Sequence, residues 1–267
     1  MLLPPSVRYC DGLVSDVARD AWSRAARNWV RHNETPNNMN DLIERPAMQA
    51  LLGEVAGKRT LEVGCGLAHY SRWLAQQGAE AWGLEPAPRL LELAQAMAEA
   101  EGAGLALRAG GVELLPEYPD GHFDIVLLPM VLEYVDDLDE TFRQAHRVLR
   151  PDGFVAISIV HPMRNLSVKH LTADGEELRI VLGYLNSGVY EWSLWIMKDD
   201  DGNDITCRSQ RRTLQEHVEP LVRAGFLIEA ILEPDAAPAA WRIDAARCKE
   251  NRHCPQFLLL KAVKRGK

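Results

Sequence analysis

Between residues 59 and 160 short apolar runs alternate with amphipathic stretches, and that rhythm leaves few folds open. RTLEVG reads as a strand and HYSRWLAQQG as a helix ended by Gly78. AEAWGLE is a second strand, followed by the helix APRLLELAQAMAEAEG, closed by Gly102. GLALRAG and FDIVLLP, the latter apolar but for Asp124, follow as third and fourth strands. DDLDETFRQAHRVLR carries acids in its first turn and arginines in its last, matching the helix dipole. PDG turns the chain into a fifth strand, FVAISIV. Strands alternating with helices predict a parallel sheet covered on both faces.

The flanks break the rhythm. SDVARDAWSRAARNWVRH has helical spacing, with Trp22 and Trp29 seven apart on one face, before the turn-rich NETPNNMN. DLIERPAMQALLGEV reads as a second helix that is interrupted or restarts at Pro46. Residues 161–210 show little helix pattern; YEWSLWIM and NDITCRSQ flank DDDG and read as an antiparallel hairpin, with Asp199 to Asp201 a solvated turn. RTLQEHVEPLVRAG, FLIEAILE and QFLLLKAVK then supply a helix and two final strands. The expected architecture is α/β: a doubly wound, Rossmann-like, mostly parallel sheet. It carries an N-terminal helical lid segment over 1–50, a main domain over 51–267, and a cap over 161–212 whose hairpin is inserted after the fifth strand.

Charge and cysteine usage narrow the chemistry. The 267 residues carry 30 Lys and Arg against 38 Asp and Glu, a net charge of −8 without basic stripes, which disfavours nucleic acid as a partner. No run of about 18 apolar residues exists to span a membrane. MLLPPSVRYCDG shows neither the basic start nor the long apolar stretch of a secretory signal. The five cysteines are scattered without a CxxC pair, and Cys248, His253 and Cys254 form the one cluster. No metal is expected, and a reducing cytoplasm is the expected setting.

The loop after the first strand, GCGLAHY, lies where doubly wound sheets bind ligands, and its glycines permit a sharp turn and close approach. Glu85, ending the second strand in WGLEP, is placed to accept the ribose hydroxyls of a nucleoside. A nicotinamide dinucleotide and a methyl donor both suit this pair. The third glycine of GxGxxG is missing, which counts against the dinucleotide. Glu62, inside the first strand, suits a cationic amino acid moiety better than a pyrophosphate.

LEVGCG, GLEP and LLPEYPDGHFDIVLLPMVLEYVDDLDETFRQAHRVLRPDG together resemble the class I S-adenosylmethionine-dependent methyltransferases, over about residues 40 to 263. NDLIERPAMQALLGEVAGKR, the HP dipeptide after the fifth strand and RRTLQEHVEPLVRAGFLIEAILEP are similar to a small-molecule branch. The resemblance implies S-adenosyl-L-methionine as cofactor. Gly64, Cys65 and Gly66 would wrap its methionine part with Glu62 nearby, Glu85 would hold the ribose, and Pro86 would border the adenine. Leu128 and Pro129 would face the methionine tail. The acid that commonly meets the adenine amino group is Gly111 here, which leaves the backbone of Val112 or the side chain of Glu113 for that role.

On the acceptor side His161, directly after the fifth strand, is the candidate general base, with packing against Pro162 the alternative. Tyr134 is placed to line the acceptor pocket or to pack in the core. Trp22, Trp29 and Tyr184 are candidate substrate contacts; Trp192 and Trp195 lie three apart in a strand, so at most one faces the pocket. An aromatic cap implies a small aromatic or apolar acceptor, methylated on O or N, in secondary metabolism among other settings. C-methylation and a nicotinamide-dependent oxidoreductase are the alternatives. A monomer and a homodimer are both compatible with the sequence.

Overall fold

A computed structural model describes residues 8–164, 167–172, 174, 177–181, 183–193 and 196–265. Its centre is a seven-stranded sheet of β2 (Arg59–Val63), β3 (Glu80–Glu85), β4 (Leu105–Ala109), β5 (Phe123–Pro129), β6 (Leu149–Val160), β11 (Leu227–Leu232) and β12 (Phe257–Val263). The order is β11-β12-β6-β5-β2-β3-β4, and β12 runs antiparallel to both its neighbours. All seven residues of β5 are buried, as a nearly continuous apolar run requires of a central parallel strand; Asp124, its one charged residue, accepts from Arg59 N and pairs with Arg150.

Helices cover both faces. Leu138, Phe142 and Ala145 of α5 (Leu138–Val148) and Leu221 of α6 (Leu214–Arg223) close one core against Val126, Leu128 and Val155. Met48 and Leu52 of α2 (Arg45–Leu52) and Leu74 of α3 (His69–Gln76) close the other against Ile125, Leu127 and Ala156. The remaining helices are α1 (Ser15–Asn33), α4 (Pro88–Ala100), α7 (Pro238–Ile243) and α8 (Ala245–His253). Pro46 stands in the first turn of α2, where its missing N–H costs nothing; a π-turn over Asn40–Glu44 precedes it.

The expected hairpin is present and larger than expected. β9 (Gly188–Trp192) pairs antiparallel with β10 (Cys207–Arg211), and β1 (Arg8–Tyr9) adds a third strand. A separate ribbon of β7 (Ser167–Leu171) and β8 (Glu177–Val181) had no clear signal in the sequence. The acidic turn does more than face water. Asp200 accepts from Arg89 at 2.8 Å and lies 3.3 Å from Arg27, tying the hairpin tip to α4 and α1. No helix among the described residues is long and apolar enough to cross a membrane.

Candidate active site

The strand order reverses at β2, which pairs with β3 on one side and β5 on the other, so the loops leaving β2 and β5 meet at a topological switch point. The β2 loop turns through Gly64 at φ +69°, and an added Cβ there would stand 2.5 Å from Val131 Cγ2 of the β5 loop. Gly66 at φ +56° and Ala68 at φ +56° complete a left-handed path into α3. The backbone is thereby folded flat against the mouth of the sheet, and a cavity of about 820 Å³ opens over it.

Two buried carboxylates hold this loop. Glu85 accepts from Gly66 N at 2.6 Å and from Ala87 N at 2.8 Å, one bond on each oxygen. The second lone pair of each oxygen is left for a ligand hydroxyl. Glu62 accepts from the backbone and hydroxyl of Ser71 at 2.7 and 2.5 Å, pinning the first turn of α3 to β2. Burial pushes both carboxyls up to about 7 despite those bonds. Cys65 lies between them with its thiol raised well above the ordinary range by burial, packed on Ala68, Ala94 and Leu107. It packs as a buried filler of the loop.

At Gly111 the side chain of Glu113 curls back and accepts from Gly111 N at 2.7 Å. A carboxylate therefore stands beside the position where the family's usual acid is missing. Pro86, Val112, Glu113 and Pro129 all line the cavity.

The other end of the cavity is aromatic. Trp22 meets Trp29 edge-on at 5.2 Å and Tyr134 at 5.9 Å between ring centroids. Tyr190 and Trp192, alternate residues of β9, line the same wall, and Trp192 Nε1 donates to Ser209 Oγ at 2.7 Å. Tyr134 shares a hydrogen bond with Ser209, and burial raises its phenol well above the ordinary range, so it stays protonated. The N-terminus of α1 is held by Asp136, which accepts from Val14 N at 2.7 Å and Ser15 N at 3.2 Å. Trp195 lies outside the described residues.

Three expected site residues stand elsewhere. His161 is buried outside the cavity lining, with Nε2 2.9 Å from Glu233 Oε1 and Nδ1 accepting from Met163 N at 3.2 Å. With both ring nitrogens engaged away from the cavity, it is not placed to take a proton from an acceptor there. Tyr184 uses its hydroxyl to accept from Leu214 N at 2.9 Å, satisfying the first turn of α6, and does not line the cavity. Leu128 points into the core, since strand alternation sends it to the face opposite Pro129.

The cavity also contains residues that the sequence did not single out. Arg45 donates to Asn33 at 2.6 Å and also pairs with Asp41; its charge reaches Glu62 and His69. Glu44 is buried, accepts from Ser158 Oγ at 2.6 Å and Tyr70 O–H at 2.7 Å, and is pushed up to about 7 by burial. Glu133 lines the cavity next to Tyr134. The acid in VLEYV, alone in an apolar run, was the available signal for Glu133; Glu44 and Arg45 depend on a π-turn that has none.

Comparison with known proteins agrees with this geometry. Residues 61–157 match the family model described as a methyltransferase domain. A ubiquinone biosynthesis O-methyltransferase of Methylobacterium sp. (strain 4-46) is 31% identical over 190 residues, covering 69% of this chain and 74% of that protein. An S-adenosylmethionine-dependent methyltransferase structure from Mesorhizobium loti superposes with a TM-score of 0.69 at 27% identity, covering 82% of this chain and 97% of that one. The 1,6-didemethyltoxoflavin-N1-methyltransferase of Burkholderia thailandensis, solved with 1,6-didemethyltoxoflavin and S-adenosylhomocysteine, shares the fold over 100% of this chain and 98% of that one, with a TM-score of 0.55 at 16% identity. The oxidoreductase alternative falls with these matches, and the chain belongs to the class I S-adenosylmethionine-dependent methyltransferases.

Proposed function

We propose that the enzyme transfers the methyl group of S-adenosylmethionine to an oxygen or nitrogen of a small planar aromatic molecule. The observation that carries this reading is one continuous cavity of about 820 Å³, running from the glycine loop to the aromatic wall of Trp22, Tyr134, Tyr190 and Trp192. Such a volume suits a nucleoside cofactor with a small acceptor beside it.

The chain's own residues fit the cofactor in a consistent way. The spare lone pairs of Glu85 suit ribose hydroxyls, and the Gly64–Gly66 backbone admits the methionine part at close range. Arg45 supplies a cation for the methionine carboxylate, and the Val112–Glu113 turn borders the adenine. When bound, the cofactor supplies an activated methyl group on sulfur. The protein is left to align the acceptor and exclude water, and alignment alone is worth ~7–11 kcal/mol. The helix α1 roofs the aromatic end, with Trp29 above Gly66 and Trp22 on Tyr134, and acts as the lid. The relatives named as O-methyltransferases support an oxygen acceptor.

Thermal-shift and calorimetric titrations with S-adenosylhomocysteine, S-adenosylmethionine and NAD test the cofactor half. Stabilisation by the first two and none by NAD is expected; the reverse pattern would end the proposal. A panel of phenols and aromatic amines, read by release of S-adenosylhomocysteine, tests the acceptor half.

A further inference from the structure

The loop after β5 contains a buried carboxyl oxygen without a partner. Glu133 lines the cavity, yet its Oε2 is screened from bulk water and has no hydrogen-bond partner among the described residues. Burial raises the Glu133 carboxyl above the ordinary carboxylate range. A buried carboxyl oxygen without a hydrogen-bond partner is costly, and one that faces a ligand cavity is open to a partner from outside the chain.

The neighbouring cation does not answer it. Arg212 spends its guanidinium on the carbonyls of Leu132 and Val135, at 2.7 and 2.6 Å, bracketing Glu133 without touching its carboxylate. It clamps the loop that presents the glutamate. The loop itself is held in an unfavourable shape: Met130 sits at φ +54°, the left-handed region that a methionine rarely enters. Met130 N donates to Ser158 O at 2.8 Å, and Val131 packs on Gly64. The strained residue turns the chain so that Val131 closes on the cofactor loop while Glu133 and Tyr134 reach the aromatic end.

We propose that Glu133 is the acceptor-binding carboxylate, accepting a hydrogen bond on Oε2 from an O–H or N–H of the planar acceptor stacked among Trp22, Tyr134 and Trp192. This rests on the reading that the cavity holds the methyl donor with its acceptor beside it. It specifies the substrate as a hydrogen-bond donor at or next to the methylated atom, and it disfavours acceptors that present only oxygen lone pairs at that end.

Catechol and 1,2-dimethoxybenzene share a skeleton and differ in the donor, so they make a matched pair of probes. Ligand-observed NMR titrations into protein saturated with S-adenosylhomocysteine should show catechol binding at least about tenfold tighter than the diether. Glu133→Leu should abolish that preference, and Glu133→Gln, which keeps a neutral acceptor, should reduce it. Both variants should keep S-adenosylhomocysteine affinity within about twofold by calorimetry. Equal binding of the two probes by the wild type, no binding of either, or full preference retained in both variants would overturn the assignment. The last result would mean that a water or a purely structural partner satisfies Oε2. Loss of S-adenosylhomocysteine binding by the wild type would instead break the reading of the cavity itself, so the two failures are distinguishable.

Discussion

The loops leaving β2 and β5 face each other across one cavity, and Gly64 of the first touches Val131 of the second. The β2 loop works through its backbone: left-handed glycines and two buried carboxylates that fix its path. The β5 loop works through side chains and depends on distant segments for its shape, with Arg212 clamping it and Asp136 linking it to α1. A backbone site is common to every molecule that carries the same cofactor moiety. A side-chain site fed by an insertion and an N-terminal helix is free to vary, and specificity belongs there. Substitutions on the two sides should therefore fail in different assays.

The largest effect is expected at Glu85. Removing its carboxylate strands the N–H groups of Gly66 and Ala87 and, on the proposed reading, the ribose. Glu85→Ala should weaken S-adenosylhomocysteine by about hundredfold or more, ~2.8 kcal/mol, and erase its thermal shift. Catechol binding should change far less. An unaltered calorimetric titration would refute the ribose assignment and with it the division of labour between the loops.

Trp22→Ala is the counterpart on the acceptor side. The ring packs edge-on against Trp29 and Tyr134 and lines the aromatic end of the cavity. Catechol affinity should fall about tenfold, while S-adenosylhomocysteine should move by no more than about twofold. Equal losses for both ligands would show that α1 serves the cavity as a whole, and the comparison would collapse into one site.

The same contrast explains what the sequence could reveal. The place of GCG, Glu62 and Glu85 around one loop was legible because the βα rhythm fixes where a strand's exit loop stands. The position of His161 at a strand end is visible in the sequence, while its pairing with Glu233, 72 residues further on, is not. The bond of Tyr184 to the start of α6 is equally long-range. Leu128 and Pro129 alternate along β5, so strand parity puts them on opposite faces. Glu133 was visible as a lone acid in VLEYV, but its missing partner is a fact of packing, which no local pattern encodes.

The smallest effect is expected at the residue that stands out most in the motif. Cys65 lies in the middle of the cofactor loop, yet its Sγ faces inward, near the point where an added Cβ on Gly83 would stand 3.1 Å away. Burial keeps the thiol protonated, so native protein should resist iodoacetamide at this position while the unfolded chain reacts. Cys65→Ala removes one buried atom and should cost about 1 kcal/mol of stability, with S-adenosylhomocysteine affinity and turnover each within about twofold. Cys65→Val should do worse than alanine, because the branch would have to enter space bounded by Gly83, Ala68 and Ala94. If alanine instead abolished turnover while cofactor affinity held, the thiol would be taking part in the chemistry and the β2 loop would no longer be a backbone site. Equal tolerance of alanine and valine would mean that the space bounded by Gly83, Ala68 and Ala94 is loosely packed.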